Sequence, residues 1–361
     1  MVLHQLGGAL RLEEFPVPSI GPGDALVRVR VAGAGLTVVI MTANPGLVTA
    51  YPRIPGHEVA GVVEEVGAQV QNVKAGDRVA CHFYLTCKAC SFCRSGRETL
   101  CKNFQGYVGM ATDGGYAEYL ALPALNLCPI PEGVSDLDAA VATDALATPL
   151  HACREEGRIG PGDLVLVVGG GGGVGIHAIQ MARLCGGWVL GADVTDEKLE
   201  LMKALSADAV LDARRAELSG QVLAATAGRG VDCAIDLVAT SATLEACIRS
   251  LAPGGRLVIL GNRPKAVFGD DPTFRVDPGL MLRKMLEIHG SRYVSLAELA
   301  QTLELLRQKR LRAVVTRTFP LQEAETAHQL LRENRIPGRA ALLVSQPNCS
   351  AIQSAIAGRY L

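Results

Sequence analysis

Residues 164–182 read LVLVVGGGGGVGIHAIQMA, and this stretch decides the fold. The apolar run Leu164–Val168 is typical of a strand buried in a parallel sheet. The glycines that follow satisfy the spacing G-x-G-x-x-G, which permits a tight turn, close approach of the backbone to a pyrophosphate, and close packing of the next helix. The stretch therefore predicts a dinucleotide-binding loop. Its residues are Gly170, Gly172, Gly173, Val174 and Gly175.

An acidic residue, Asp193, ends the next apolar run and lies 18 residues after Gly175. A carboxylate at this distance accepts hydrogen bonds from the ribose hydroxyls of NAD and repels the 2′-phosphate of NADP. Asp193 therefore predicts NAD as the cofactor. The structural alternative is that Asp193 caps the following helix, for which Asp196 is a second candidate.

Strand and helix patterns continue to alternate through residues 148–290, which predicts a doubly wound parallel sheet. Residues 1–147 are instead rich in glycine, proline and short alternating runs, which indicates an irregular β domain with many turns. Residues 291–345 return to mixed character. The length of 361 residues predicts two domains, and the alternation of strands and helices predicts an α/β fold class. The last part, 346–361, fits either a surface helix or a disordered tail.

The composition narrows the possible partners. The 361 residues carry 35 Lys and Arg against 36 Asp and Glu, and aromatic residues make up 4%. A nucleic-acid binder needs a basic excess to neutralise phosphates and aromatic rings to stack on bases, so we expect no nucleic-acid partner. No apolar run reaches the ~18 residues of a membrane helix, and the N-terminus lacks a secretory signal pattern. We therefore expect a cytoplasmic protein with no membrane partner.

Four cysteines fall close together with the spacing C-x2-C-x2-C-x7-C. Four thiolates on one loop can surround Zn²⁺ as a tetrahedron, at about 2.3 Å each, and leave no open coordination position. The pattern therefore predicts a structural zinc rather than a catalytic one, with an iron–sulfur cluster as the alternative. The ligands are Cys87, Cys90, Cys93 and Cys101.

Residues 56–61 read GHEVAG, and GAQV follows at residues 67–70. Together with the glycine loop and the cysteine spacing, these residues resemble the zinc-containing alcohol dehydrogenases of the medium-chain dehydrogenase/reductase superfamily, over nearly the whole chain. The resemblance implies a GroES-like catalytic domain (1–147 and 291–361) interrupted by a Rossmann domain (148–290), with hydride transfer in the cleft between them. It also implies a homo-dimer or homo-tetramer.

The resemblance places a catalytic zinc at positions where this chain departs from the family pattern. Residues 35–40 read GLTVVI where the family has G-x-C-x-[ST]-D. Thr37 stands in place of a cysteine, the first zinc ligand. Val39 replaces the hydroxyl that begins the proton relay, and Ile40 replaces an aspartate behind the ligands. A neutral hydroxyl is a poor zinc ligand, so we expect weakened zinc binding.

The other catalytic positions of the family are matched by His57, Glu58 and Asp144. They offer one nitrogen and two oxygens, which suffice for a zinc that keeps its fourth position for water or substrate. Without metal, the histidine and a carboxylate can act as a proton donor–acceptor pair. A third alternative is that these polar residues have no catalytic role and only form hydrogen bonds that hold the domain together. Glu58 can also simply pair with an arginine. The predicted catalytic residues are Thr37, His57, Glu58 and Asp144.

Further cofactor contacts are implied by the resemblance alone. Val238 follows the fourth strand of the Rossmann domain, where the adenine side passes. Arg339 is expected to pair with the pyrophosphate through its guanidinium, and its alternative is an exposed surface arginine. Backbone groups after the next two strands hold the carboxamide of the nicotinamide. These residues are Leu260, Gly261, Asn262 and Ser291.

The sequence thus predicts an NAD(H)-dependent oxidoreductase that interconverts an alcohol and a carbonyl compound. One alternative is hydride addition to an activated C=C bond of an enone or enoyl thioester, because an enolate oxygen can be held by hydrogen bonds instead of zinc. A second alternative is a nucleotide-binding protein without turnover.

Overall fold

The computed structural model describes residues 1–205, 207–271 and 273–344. The segment 346–361, for which the sequence fits either a surface helix or a disordered tail, lies outside the described residues. Within the described ranges, no helix combines the length and the apolar character that crossing a membrane requires.

The chain forms two compact units. Unit 1 joins Met1–Ala147 to the chain from Val294 onward, and unit 2 is Thr148–Tyr293. Each unit has its own sheet and its own set of buried apolar side chains.

The first part of unit 1 is mainly β structure, in which the valine-rich strands are largely buried. The strands are β1 (Asp24–Ala34), β2 (Val59–Val66), β3 (Arg78–Cys81), β4 (Tyr84–Leu85), β5 (Gly106–Tyr107), β6 (Tyr119–Pro123) and β7 (Leu127–Pro129). The helices are α1 (Leu36–Ala43), α2 (Ser91–Arg94) and α3 (Asp136–Val141).

Strands and helices alternate through unit 2, after a short helix α4 (Ala147–His151) at the boundary. The strands are β8 (Leu164–Val168), β9 (Trp188–Asp193), β10 (Ala209–Asp212), β11 (Val231–Asp236), β12 (Leu251–Ile259) and β13 (Glu287–Gly290). The helices are α5 (Gly175–Leu184), α6 (Asp196–Ala204), α7 (Leu218–Ala225), α8 (Ser241–Ser250), α9 (Lys265–Phe268) and α10 (Pro278–Lys284).

The chain then returns to unit 1 through a helix whose start carries a capping box. The Ser295 side chain accepts a hydrogen bond from the Glu298 backbone N–H, and the Glu298 side chain accepts one from the Ser295 backbone. The elements of this part are α11 (Leu296–Arg307), β14 (Val315–Pro320), α12 (Ala324–Arg332) and β15 (Arg339–Leu343).

The large sheets of the two units differ in direction and order. Unit 1 has a mixed seven-stranded sheet in the order β14-β15-β1-β2-β3-β7, with β6 also paired to β1, and β4 pairs with β5. Unit 2 has a parallel sheet in the order β10-β9-β8-β11-β12-β13. The strand order reverses between β8 and β11, which is where such sheets bind ligands. The predicted α/β class, an irregular β domain with a doubly wound sheet, is confirmed.

Candidate active site and cofactor loop

A buried hydrogen bond between His57 and Asp144 lies at the centre of the candidate active site in unit 1. His57 lies just before β2, and Asp144 lies in a π-helical turn, Ala142–Leu146. His57 Nε2 is 3.2 Å from Asp144 Oδ2, and both side chains are almost fully buried. Single π turns are rare and are found frequently at functional sites. The turn brings a carboxylate to a histidine that is 87 residues away along the chain.

The second ring nitrogen of His57 is in a different situation. Nδ1 is buried, and it has no hydrogen-bond partner in the part of the chain that the structure describes. The ring lies against Phe83, with 4.5 Å between the ring centroids. An unpaired buried polar atom costs about 1–3 kcal/mol, so such an atom indicates a place where a ligand atom or water completes the hydrogen bond.

Glu58 is held by separate contacts. Its Oε1 accepts a hydrogen bond from the backbone N–H of Ala145 at 3.1 Å. Its Oε2 accepts one from Arg339 Nε at 3.0 Å and a second from Nη2 of the same guanidinium. A Cβ on Gly33 would collide with the Glu58 carboxylate, and one on Gly35 would collide with the Arg339 guanidinium. Glycine at these two positions therefore makes room for the ion pair.

Burial governs the charges of this pair. Burial raises the pKa of Glu58, while Arg339 lowers it and Asp144 raises it further. Burial alone would lower the pKa of Arg339, but the Glu58 and Asp144 carboxylates outweigh that effect and raise it. The arginine therefore stays charged, and its attraction for Glu58 offsets part of the cost of removing both groups from water.

The structure brings only two of the three possible zinc ligands together. His57 meets Asp144, whereas both Glu58 oxygens face other partners. Over residues 1–205, 207–271 and 273–344, three or more candidate ligand atoms converge within 4.8 Å only at the four cysteines. Thr37 is half-buried in the first turn of α1, and Ile40 of the same helix is buried. The role of these residues in metal binding stays a prediction.

The four cysteines form a compact group around α2. The Sγ atoms of Cys90 and Cys93 are 3.5 Å apart, as are those of Cys87 and Cys101. Backbone hydrogen bonds lower the pKa of Cys90 to about 6, and burial raises that of Cys93 to about 12. Four sulfur atoms at this spacing fit a tetrahedral structural zinc, whose charge would stabilise all four thiolates.

The glycine loop of unit 2 leaves no room for an added side chain at its third glycine. A Cβ on Gly175 would collide with the backbone carbonyl of Gly169. Asp193 accepts hydrogen bonds from the N–H groups of Gly171 at 3.0 Å and Val194 at 2.8 Å. Helix α6 begins at Asp196 and has Thr195 at its N-cap position, so neither aspartate caps it. Asp193 therefore contacts the glycine loop, and its contact with a ribose stays a prediction.

The other cofactor candidates of unit 2 follow β11, β12 and β13. Asp236, at the end of β11, organises two of these segments, since its Oδ1 accepts the N–H of Val238 at 2.8 Å and its carbonyl accepts the N–H of Gly261 at 2.8 Å. Because the strands are parallel, their carboxyl ends share one edge of the sheet with the glycine loop and Asp193. The residues at this edge are Val238, Leu260, Gly261, Asn262 and Ser291.

Arg339 lies in unit 1, and its contacts differ from the expected ones. Arg339 is 3% exposed, so the alternative that it is an exposed surface arginine is wrong. Its guanidinium binds Glu58, which matches the alternative considered for Glu58. The expected contact of Arg339 with a pyrophosphate stays a prediction.

Two residues that contact the predicted cofactor residues were not found by sequence reasoning. Lys198 is 6% exposed, and its Nζ lies 3.9 Å from Asp193 Oδ1, so it lies beside the residue predicted to bind the ribose. Asp236 ends β11 in the same way as Asp193 ends β9, and an acidic residue at the end of an apolar run was a usable signal. Lys198 gave no signal, because a lysine on a helix is usually exposed.

Two family models match the chain. The alcohol dehydrogenase GroES-like domain matches residues 21–132, and the zinc-binding dehydrogenase model matches residues 173–308. An NAD-dependent alcohol dehydrogenase from Sulfolobus acidocaldarius is 31% identical over 96% of this chain and 99% of its own. An acryloyl-coenzyme A reductase from Sulfurisphaera tokodaii is 29% identical over 91% of this chain and 95% of its own. A solved structure of a protein named AibC superimposes with a TM-score of 0.87, at 35% identity, over 96% of this chain and 95% of its own.

Proposed function

The chain belongs to the zinc-type alcohol dehydrogenase family of the medium-chain dehydrogenase/reductases, and from that premise we propose how it performs its reaction. It is an NAD-dependent oxidoreductase, and the four cysteines fit a structural zinc. We propose that it interconverts a small alcohol and its carbonyl compound. The observation that carries the proposal is the buried hydrogen bond between His57 Nε2 and Asp144.

Unit 2 has the residues that would hold NAD. The N–H groups of the glycine loop, at the start of α5, suit a pyrophosphate. Asp193 would accept hydrogen bonds from the ribose hydroxyls, and Lys198 would donate to the same sugar. When bound, NAD supplies the nicotinamide carbon that accepts or gives the hydride. Asp236 fixes the segments expected to face the nicotinamide.

Unit 1 has the groups that would serve the oxygen of the substrate. Oxidation of an alcohol removes a hydride from the carbon and a proton from the oxygen, and the reverse reaction returns both. His57, oriented by Asp144, would hold or release that proton, as a histidine oriented by a carboxylate does in other enzymes. The Glu58–Arg339 pair would keep the π turn in place, because Ala145 of that turn donates to Glu58.

A second candidate is reduction of an activated C=C bond. Thr37 in place of a thiolate favours it, since an enolate oxygen is less dependent on a metal than an alkoxide oxygen is. The similarity to an acryloyl-coenzyme A reductase supports the same candidate. Hydride would then add to the β carbon, and a proton would add to the α carbon.

The test is consumption of NADH by purified protein with two panels, ketones and aldehydes in one and enones and enoyl thioesters in the other. We expect turnover with the carbonyl panel. His57→Asn should lower kcat by about 10²-fold or more and leave NADH binding unchanged, because general acid–base groups contribute that much. The matched control is His4→Asn, an exposed histidine paired with Glu13. Full activity of His57→Asn would refute the role of His57.

We also propose a cytoplasmic homo-oligomer. Leu282 and Met285 are each 79% exposed and precede β13, the edge strand of the parallel sheet, and exposed apolar side chains at an edge suit association with a second copy. Sedimentation should give two or four chains per particle. Leu282→Lys should lower that number.

A further inference from the structure

The residues around His57 do not fit the catalytic zinc that the family implies. We infer that this chain binds one zinc ion, at the four cysteines, and that the His57–Asp144 hydrogen bond occupies the position of the second metal. The inference rests on the proposed function, because it concerns the groups that serve the substrate's oxygen. Three independent features of unit 1 carry it.

The first feature is the missing thiolate. Catalytic zinc sites use three protein ligands and keep a fourth position open. Thr37 stands where a cysteine is expected, and a neutral hydroxyl competes poorly with thiolate, imidazole or carboxylate for zinc. In the described part of the chain, no other cysteine joins His57 and Asp144 in a group of three ligand atoms. Two ligands remain where three are needed.

The second feature is the engagement of Glu58. Glu58 is the third residue that matches a catalytic position of the family, yet one of its oxygens accepts a hydrogen bond from Ala145 and the other from Arg339. The pair is 0% and 3% exposed. Moving Glu58 to a metal would leave Arg339 charged and buried without its partner, which is strongly destabilising. Glu58 therefore does not replace the lost thiolate.

The third feature is the surroundings of His57. A metal-binding histidine almost always donates its second ring N–H to a carboxylate, carbonyl or water, which fixes the ring. His57 Nδ1 has no such partner in the described ranges. Ile40, a buried aliphatic residue, stands where the family has an aspartate. The orienting partner is therefore lost together with the thiolate.

Zinc per chain, measured by mass spectrometry on protein purified without added zinc, tests the inference. We expect one zinc in the wild type and in His57→Ala. Thr37→Cys should bind a second zinc, and Thr37→Cys with Ile40→Asp should bind it more tightly. Thr42→Cys is the matched control, because it adds a thiol to the same helix at a residue that bonds the Val38 carbonyl. We expect one zinc there.

Two zinc ions per wild-type chain, with one lost in His57→Ala, would overturn the inference. One zinc in both Thr37→Cys variants would also contradict it, since the missing thiolate would then not be the cause. Turnover on the two substrate panels tests the proposed function separately. One zinc with no turnover on either substrate panel refutes the proposed function and leaves the inference standing, whereas two zinc ions with turnover do the opposite.

Discussion

The glycine loop of unit 2 and the polar cluster of unit 1, which consists of His57, Glu58, Asp144 and Arg339, are built in opposite ways. The loop offers backbone N–H groups in place of side chains, and at Gly175 an added carbon would collide with backbone. The cluster consists of almost fully buried side chains whose contacts join residues 87 and 281 positions apart. The loop should therefore be sensitive to added atoms, and the cluster to lost partners.

The largest expected effect is the loss of a partner in the cluster. Arg339→Met should lower the free energy of unfolding by about 3–5 kcal/mol, because Glu58 would remain buried without a cation. Urea unfolding measures this change. Arg307→Met is the control, since Arg307 pairs with Glu304 at 49% and 41% exposure. Equal losses in the two variants would show that burial does not distinguish the pairs.

Acidification should also act on unit 1. Burial lowers the pKa of His328 to about 4, against about 6.5 in an unfolded chain. Its hydroxyl partner is Tyr116, and Glu325 and Arg332 are its charged neighbours. The unfolded state takes up the proton first, so this stability is fully present above pH about 6.5. It falls by roughly 3 kcal/mol as the pH drops to about 4.

His328→Gln tests that acid sensitivity, because glutamine can still meet the Tyr116 hydroxyl and does not titrate. The decrease in unfolding free energy between neutral and acidic buffer should be smaller in this variant. An unchanged decrease would assign the sensitivity to other groups.

An added methyl group tests the loop. Gly175→Ala should lower the free energy of unfolding by about 1–3 kcal/mol and weaken NAD binding, since the Cβ collides with the Gly169 carbonyl. Gly160→Ala is the control in the same unit, because a Cβ there meets no atom within 4 Å. Calorimetry with NAD measures both variants. Normal NAD affinity in Gly175→Ala would contradict the assigned role of the loop.

The smallest expected effect concerns cofactor choice. Asp193→Asn should weaken NAD binding about tenfold, because one charge-assisted hydrogen bond is lost. It should also reduce the ratio of the affinity for NAD to the affinity for NADP. Asp196→Asn, at an exposed helix start, should change neither affinity. Titration of both cofactors checks this. An unchanged ratio in Asp193→Asn would mean that another group selects the cofactor.

The spacing of residues along the sequence was enough to predict the local features. The glycine loop, Asp193 and the four cysteines each depend on residues within about two dozen positions, so the spacing constrains the geometry. The same reasoning could not show that Glu58 meets Arg339, which is 281 residues away. Nor could it show that Ala145 would donate from a π turn, because no short pattern encodes that turn.

The central claim is hydride transfer from NADH to a carbonyl carbon, and the most direct measurement uses NADH deuterated at the transferred position. Mass spectrometry of the product locates the label. The account predicts deuterium on the carbinol carbon of an alcohol formed from a ketone or aldehyde. Deuterium only at the β carbon of a saturated thioester or ketone, or no transfer with any substrate, would contradict it.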